Sequence, residues 1–273
     1  HPRVQRRNRR REPVGEASHS RRLRRPTVCR FGSAGDRKRL TMHTVITPMT
    51  PDQWRTYLVT QQSLSNGRST ETVVAAAIDG GVDAVQLREK GRPLDERYEL
   101  GQQLRDLTSD AGVDLIVNDR IDLAHAVGAD GVHLGQSDLP VSTAREILGP
   151  EATVGASVST VSEARLAAIS GADYLGVGAV YGTDSKPDAE TADDGLGVDA
   201  LAKIVDSVTI PVVAIGGITP ENASGPIQAG ASAVAVISAI TAADDPEAAA
   251  SELREAVVDT EQNADAEEVT ADD

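Results

Sequence analysis

Eight short apolar runs, spaced by segments of helix length, leave this chain very few architectures. The runs cover residues 57–60, 84–88, 115–118, 131–134, 153–158, 174–180, 211–217 and 233–238. A strand that is apolar at successive positions is covered on both faces, and such strands alternating with helices build parallel sheets. Eight of these units predict an α/β fold, a (β/α)8 TIM barrel in a single domain, for which about 200 to 250 residues suffice. Helix starts agree. Thr160 with Glu163 has capping-box spacing, while Asp245–Pro246 and Thr219–Pro220 each set a capping residue before a proline. Gly225 and Pro226 predict a seventh helix that starts late or bends, because proline removes an amide donor. GlyValAsp or GlyAlaAsp recurs from Gly81, Gly128 and Gly171, with GlyAlaSer at Gly230, and punctuates the barrel by ending helices. Asp130 and Asp173 precede strands, which assigns them to the end away from the chemistry.

Charge divides the chain. Residues 1–48 carry 13 arginines and no apolar periodicity, and read as a disordered extension. An arginine-rich, acid-poor start also suits a transit peptide or an arm for nucleic acid. Met42 and Met49 lie just before the first periodic segment, so residues 1–41 are expected to be upstream sequence rather than part of the native protein. The barrel is expected over residues 49–260, followed by a disordered acidic tail over 261–273.

From residue 41 onward there are 13 Lys/Arg against 39 Asp/Glu, a net charge near −26. Such a body repels nucleic acid and anionic membranes, so a polyanionic ligand must be met by local cationic residues. The single Phe, Phe31, lies in the extension, so the core is expected to consist of Val, Ala, Leu and Ile. High acidity with almost no lysine points to a cytoplasmic protein adapted to high salt. Cys29 is the only cysteine, which excludes an internal disulfide and cysteine-based metal clusters.

Asp119 and Asp138 close two successive runs, in LeuIleValAsnAsp (115–119) and GlyValHisLeuGlyGlnSerAsp (131–138). Carboxylates just past adjacent parallel strands sit at the barrel rim, where active sites form, and such a pair can hold one magnesium ion. In GlnLeuArgGluLys (86–90), period-2 alternation puts Gln86, Arg88 and Lys90 on one side. After residue 41 the only lysines are Lys90, Lys186 and Lys203, so those that survive are enriched for function. Lys186 follows the sixth run with Thr183 and Ser185, a charge and two hydroxyls suited to phosphate oxygens. GlyGlyIle (216–218) and ValIleSer (236–238) end the seventh and eighth runs, where barrels commonly bind phosphate through backbone amides. Asn118 offers an amide to a heterocycle, and Ser157 a hydroxyl. His125 and His133 lack a third ligand at suitable spacing and are assigned structural roles.

Taken in order, GlnLeuArgGluLys, AsnAsp, GlyGlnSerAsp, GlyAlaSer, ThrAspSerLys, GlyGlyIle and ValIleSer resemble the thiamine-phosphate synthase family over about residues 55–240. That family joins hydroxymethylpyrimidine pyrophosphate to a thiazole phosphate and releases pyrophosphate. The resemblance implies that Gln86, Arg88, Lys90, Asn118, Ser157 and Lys186 bind the pyrimidine pyrophosphate, and that Asp119 and Asp138 hold its magnesium. Thr183, Ser185, Gly217, Ile237 and Ser238 would bind the thiazole phosphate. Leu87, Glu89 and Asp184 fall inside these substrate-binding segments, and Arg88, Lys90, Ser157 and Lys186 would act in catalysis. Two positions depart from the family pattern: Gly182 replaces a common proline, and Asp184 puts an anion in the phosphate loop.

The implied reaction is a dissociative substitution in which negative charge grows on the leaving pyrophosphate. Two other readings fit parts of the pattern. A related barrel isomerises a thiazole phosphate without magnesium, and a non-catalytic thiamine-precursor binding protein would need only a product site. The Asp pair and the retained lysines favour the synthase over both.

Overall fold

The structure, a computed structural model, describes residues 49–183, 185 and 195–271. All eight expected strands are present: β1 (Thr56–Val59), β2 (Ala84–Leu87), β3 (Asp114–Asn118), β4 (Gly131–Leu134), β5 (Thr153–Val158), β6 (Tyr174–Gly178), β7 (Val212–Ile215) and β8 (Ala233–Val236). They form a closed parallel barrel in chain order. Closure runs through β1, where Leu58 lies opposite Val85 of β2 and Val236 of β8. The helices are α1 (Thr70–Asp79), α2 (Leu94–Ala111), α3 (Ile121–Val127), α4 (Val141–Leu148), α5 (Val161–Ile169), α6 (Val198–Val205), α7 (Ser224–Gln228), α8 (Ser238–Thr241) and α9 (Pro246–Ala271). None of the described helices is long and apolar enough to cross a membrane.

Local chemistry explains where several helices begin. The Thr160 hydroxyl accepts the Glu163 amide at 3.2 Å while the Glu163 carboxylate takes the Thr160 amide at 3.1 Å, completing the expected capping box of α5. Asp245 accepts the Ala248 amide at 3.1 Å and starts α9 at Pro246. The seventh helix starts late, as Gly225 and Pro226 required, and spans only Ser224–Gln228. Thr219–Pro220 therefore opens a turn rather than a helix, with the Thr219 carbonyl accepting the Asn222 and Ala223 amides. Residues 261–271, expected as a disordered tail, continue α9 instead. Alanine, glutamate and glutamine are strong helix formers, and a helix already running needs no new nucleus to extend through them.

Strand alternation creates two cores. Leu58, Val85, Leu87, Leu115, Val117, Val132, Leu175, Val212 and Val234 face the helices and are fully buried or nearly so. The opposite faces fill the barrel with Tyr57, Ile116, Tyr174, Val213 and Ala233, floored by Trp54. The aliphatic expectation holds for the outer layer, while in the inner layer three aromatic residues join the Val, Ala and Ile side chains. An eight-stranded barrel needs bulky interior side chains to avoid voids. Three aromatic rings meet edge-on here, Trp54 with its centroid 5.3 Å from Tyr57 and 5.0 Å from Tyr174.

The floor is fastened by a repeated motif. Asp83, Asp130 and Asp173 each sit just before a strand or its first residue and accept an amide from the preceding strand. The donors are Thr56 at 3.0 Å, Leu115 at 2.8 Å and Val154 at 2.7 Å. Each carboxylate also pairs with an arginine from a helix: Arg254 of α9, Arg105 of α2 and Arg145 of α4. The GlyXxxAsp punctuation thus ends one helix and stitches the next strand to its neighbour, which agrees with placing Asp130 and Asp173 at the end away from the chemistry.

Candidate active site

At the opposite end, the strand C-termini open into a cavity of about 590 Å³ with a recess beside it lined by the loops after β1 and β2. Lys90 and Ser185 border both, so they form one continuous cleft. The β2 segment behaves as alternation predicts. Gln86 points into the barrel just below the cavity, where its amide donates to the Tyr57 hydroxyl at 2.9 Å. Arg88 is buried in the wall of the recess, donating to Gln61 Oε1 at 3.0 Å, and Lys90 stands at the rim. Arg92, which the sequence reading did not include, adds a third cation to the recess.

The two aspartates come together beside Lys90. Asp119 follows β3 with φ of +64°, a left-handed conformation that a short polar side chain tolerates and that turns its carboxylate over the mouth. Its Oδ2 lies 3.3 Å from Lys90 Nζ. Asp138 folds back to accept the Gly135 amide at 2.7 Å. Burial holds the Asp138 carboxyl above its usual range and the neighbouring Asp119 carboxylate adds to this, while the Gly135 amide and Lys90 pull it down. Two like charges held in contact suit a divalent cation. Magnesium typically takes only one or two protein carboxylates and fills its shell with water and substrate phosphate, so this donor set fits it.

Across the cavity lie Thr183, Ser185, Gly216, Gly217, Ile237 and Ser238. Gly217 has φ of +66°, and a side chain there would meet the Tyr181 carbonyl oxygen at 2.7 Å, so the turn demands glycine twice over. Asn222 holds this turn, donating to the Gly217 carbonyl at 2.9 Å and accepting the Thr219 amide at 2.9 Å. The short helix α8 begins at Ser238, whose hydroxyl is 3.3 Å from that of Ser185. Backbone amides at a glycine turn and a helix start, with three hydroxyls, make a wall suited to phosphate oxygens. Asp184 and Lys186 lie outside the described residues.

Between these walls the cavity is lined by Asn118, Ser157 and His133. Assigning His133 a purely structural role misses that it borders the cavity and bonds Ser157, its Nε2 lying 2.8 Å from Ser157 Oγ. A signal was available: in GlyValHisLeu (131–134) the apolar Val132 and Leu134 share one face, which sends His133 inward. His125 sits in the last turn of α3, away from the cavity.

Four expected binding residues do not line the main cavity: Gln86 lies beneath it, Arg88 lines only the recess, and Leu87 and Glu89 point elsewhere. Leu87 faces the helices, in the outer core. Glu89 borders the recess, but its carboxylate takes the Gln62 amide at 3.1 Å and the Thr70 hydroxyl at 2.9 Å, bracing the loop after β1. Both lie on the wrong phase of the alternation that carries Gln86, Arg88 and Lys90.

A closed barrel with paired carboxylates and cations at one side of its mouth, and a glycine turn and helix start at the other, defines a phosphate-handling (β/α)8 enzyme. The family model for thiamine monophosphate synthase matches residues 56–240. Thiamine-phosphate synthase of Haloarcula marismortui is 60% identical over 204 residues, covering 75% of this chain and 97% of that protein. The enzyme of the same name from Natronomonas pharaonis is 59% identical over 201 residues, covering 74% of this chain and 94% of that protein. A solved thiamine phosphate pyrophosphorylase from Pyrococcus furiosus superposes with a TM-score of 0.70 at 41% identity, covering 77% of this chain and 98% of that one. The chain belongs to the thiamine monophosphate synthase family.

Proposed function

We propose that this chain condenses hydroxymethylpyrimidine pyrophosphate with thiazole phosphate to give thiamine phosphate and pyrophosphate. One observation carries the reading: a single cleft holds two anion-handling walls, the Asp119–Asp138–Lys90 group on one side and the Gly217–Ser238 wall on the other. A joining reaction between two phosphorylated substrates needs both. A tautomerase or a product-binding protein needs only the second.

In this reading Arg88 and Lys90 hold the pyrophosphate, with Lys186 supplying a further charge from the loop after β6. Asp119 and Asp138 would hold magnesium, which when bound neutralises charge accumulating on the leaving group. Asn118, Gln86 and Ser157 orient the pyrimidine. Thr183, Ser185, Gly217, Ile237 and Ser238 hold the thiazole phosphate so that its ring nitrogen faces the carbon losing pyrophosphate. Catalysis then rests on positioning and on charge stabilisation, with no protein nucleophile. The acidic, lysine-poor composition supports a cytoplasmic setting with small-molecule partners and no nucleic acid.

The test is a coupling assay with both substrates, with and without magnesium. Thiamine phosphate should form only when both substrates and the metal are present. Activity on thiazole phosphate alone, or full turnover in chelator, would reject the reading.

A further inference from the structure

Side-chain hydrogen bonds run unbroken across the barrel interior beneath the cavity. Gln86 Nε2 donates to Tyr57 Oη at 2.9 Å, Tyr57 Oη lies 3.1 Å from Tyr174 Oη, Tyr174 Oη lies 2.9 Å from His133 Nδ1, and His133 Nε2 lies 2.8 Å from Ser157 Oγ. Both ends are residues assigned to the pyrimidine, and the middle three have no part in the mechanism above. We propose that His133 is a positioning residue that, held by Tyr174 and Tyr57, fixes the Ser157 hydroxyl as a hydrogen-bond donor aimed at the pyrimidine ring.

Proton counting sets the direction. Tyr57 Oη accepts from the Gln86 amide, so its own single proton goes to Tyr174 Oη. The Tyr174 proton then goes to His133 Nδ1, which leaves the imidazole proton on Nε2. Nε2–H donates to Ser157 Oγ, and the serine proton is directed away from His133, into the cavity. Burial raises both phenols above their ordinary range, so the tyrosines stay neutral and keep the protons that the relay requires.

The barrel backbone is shaped for this arrangement. A Cβ at Gly155 would come within 2.2 Å of the Tyr174 ring, and one at Gly176 within 2.8 Å of His133 Cε1. Both positions face the interior, on β5 and β6 beside the two rings. Reducing those neighbours to glycine costs strand stability, since glycine packs nothing and loses more entropy on ordering. Two such sites around one imidazole and one phenol fit a site that depends on the placement of those rings.

The inference rests on the pyrimidine reading of Ser157, and steady-state kinetics with each substrate varied in turn separates the two. Tyr174→Phe keeps the ring and deletes the proton donated to Nδ1. It should raise the KM for pyrimidine pyrophosphate about five-fold, the scale of one hydrogen bond, and leave that for thiazole phosphate unchanged. His133→Ala should raise it by roughly ten-fold, while His133→Gln, which can still donate to Ser157, should recover most of the loss. Ser157→Ala combined with His133→Ala should be no worse than Ser157→Ala alone, because the histidine acts through the hydroxyl. Tyr57→Phe should move the same KM in the same direction. Additive losses in that cycle, or equal effects on both substrates, would overturn the relay. A wild-type chain unable to couple the substrates would instead overturn the functional reading on which the relay stands.

Discussion

Asp114 carries the clearest stability prediction. It begins β3 with its carboxylate in the barrel floor, 3% exposed, and accepts the Trp54 indole N–H at 2.8 Å. Burial pushes its pKa up to about 6, with Asp130 adding to the rise, while the Trp54 hydrogen bond, the Met49 amide and Arg105 act against it. An ordinary aspartate titrates near ~3.9, so the folded protein holds this proton more tightly than the unfolded chain does. The stabilisation from the neutral acid is therefore fully present below about pH 4 and is lost as pH rises through about 6. Two pKa units correspond to about 3 kcal/mol at most. Asp114→Asn keeps an acceptor for the indole but cannot ionise. The stability of the variant relative to wild type should therefore improve by about 2 kcal/mol between about pH 4.5 and about pH 8. The asparagine N–H2 group adds an offset that does not vary with pH, and the titrating groups not coupled to Asp114 cancel in the difference. Urea unfolding of both proteins at constant salt measures it. A difference that does not change with pH would show that Asp114 titrates as it does in the unfolded chain.

Four further outcomes follow from the site and the floor. Asp119→Ala or Asp138→Ala should each lower turnover by at least ~10²-fold, the scale of one lost electrostatic partner in the transition state, as measured in the coupling assay at saturating magnesium. Lys186→Ala should cost about one to two decades of activity, whereas Lys203→Ala, on the exposed face of α6, should cost little; kinetics with pyrimidine pyrophosphate limiting compares them. Gly217→Ala should raise the KM for thiazole phosphate more than that for pyrimidine pyrophosphate, since its Cβ would crowd the Tyr181 carbonyl; equal changes would remove the turn from the phosphate site. Asp173→Ala strips the acceptor from the Val154 amide and the partner from Arg145, and should lower unfolding free energy by roughly 1 to 3 kcal/mol without altering the KM for either substrate.

The barrel was legible because continuous apolar strands have few alternatives, and all eight runs became strands. What alternation implies for single side chains was only partly read. It sets Gln86, Arg88 and Lys90 on one phase, with Gln86 beneath the cavity, Arg88 in the recess and Lys90 at the rim, yet the same rule assigns Leu87 and Glu89 elsewhere and turns His133 inward. Contacts between strands are harder still. That His133 meets Ser157 follows from the register setting His133 opposite Gly155, and nothing local to either strand specifies it. Aromatic scarcity misleads in a related way: Trp54, Tyr57 and Tyr174 are few, but all three pack into the barrel interior beside its aliphatic residues. Acidity past residue 260 reads as disorder, yet alanine and glutamate also favour helix, and α9 runs on to Ala271.

The seam between β1 and β8 has a consequence for synthesis. Leu58 is among the first barrel residues made and its partner Val236 among the last, so the first strand waits with one edge open through most of translation. An open strand edge invites pairing with other chains, and contacts this distant in sequence form slowly. Bracing of the floor beside β1 arrives later still, when Arg254 of α9 reaches Asp83 and Arg55 reaches Glu261. A ribosome that stalled or released the chain before β8 emerged would leave a curved parallel sheet with two exposed edges. For this barrel, closure waits for the eighth strand and the bracing of its floor waits for α9.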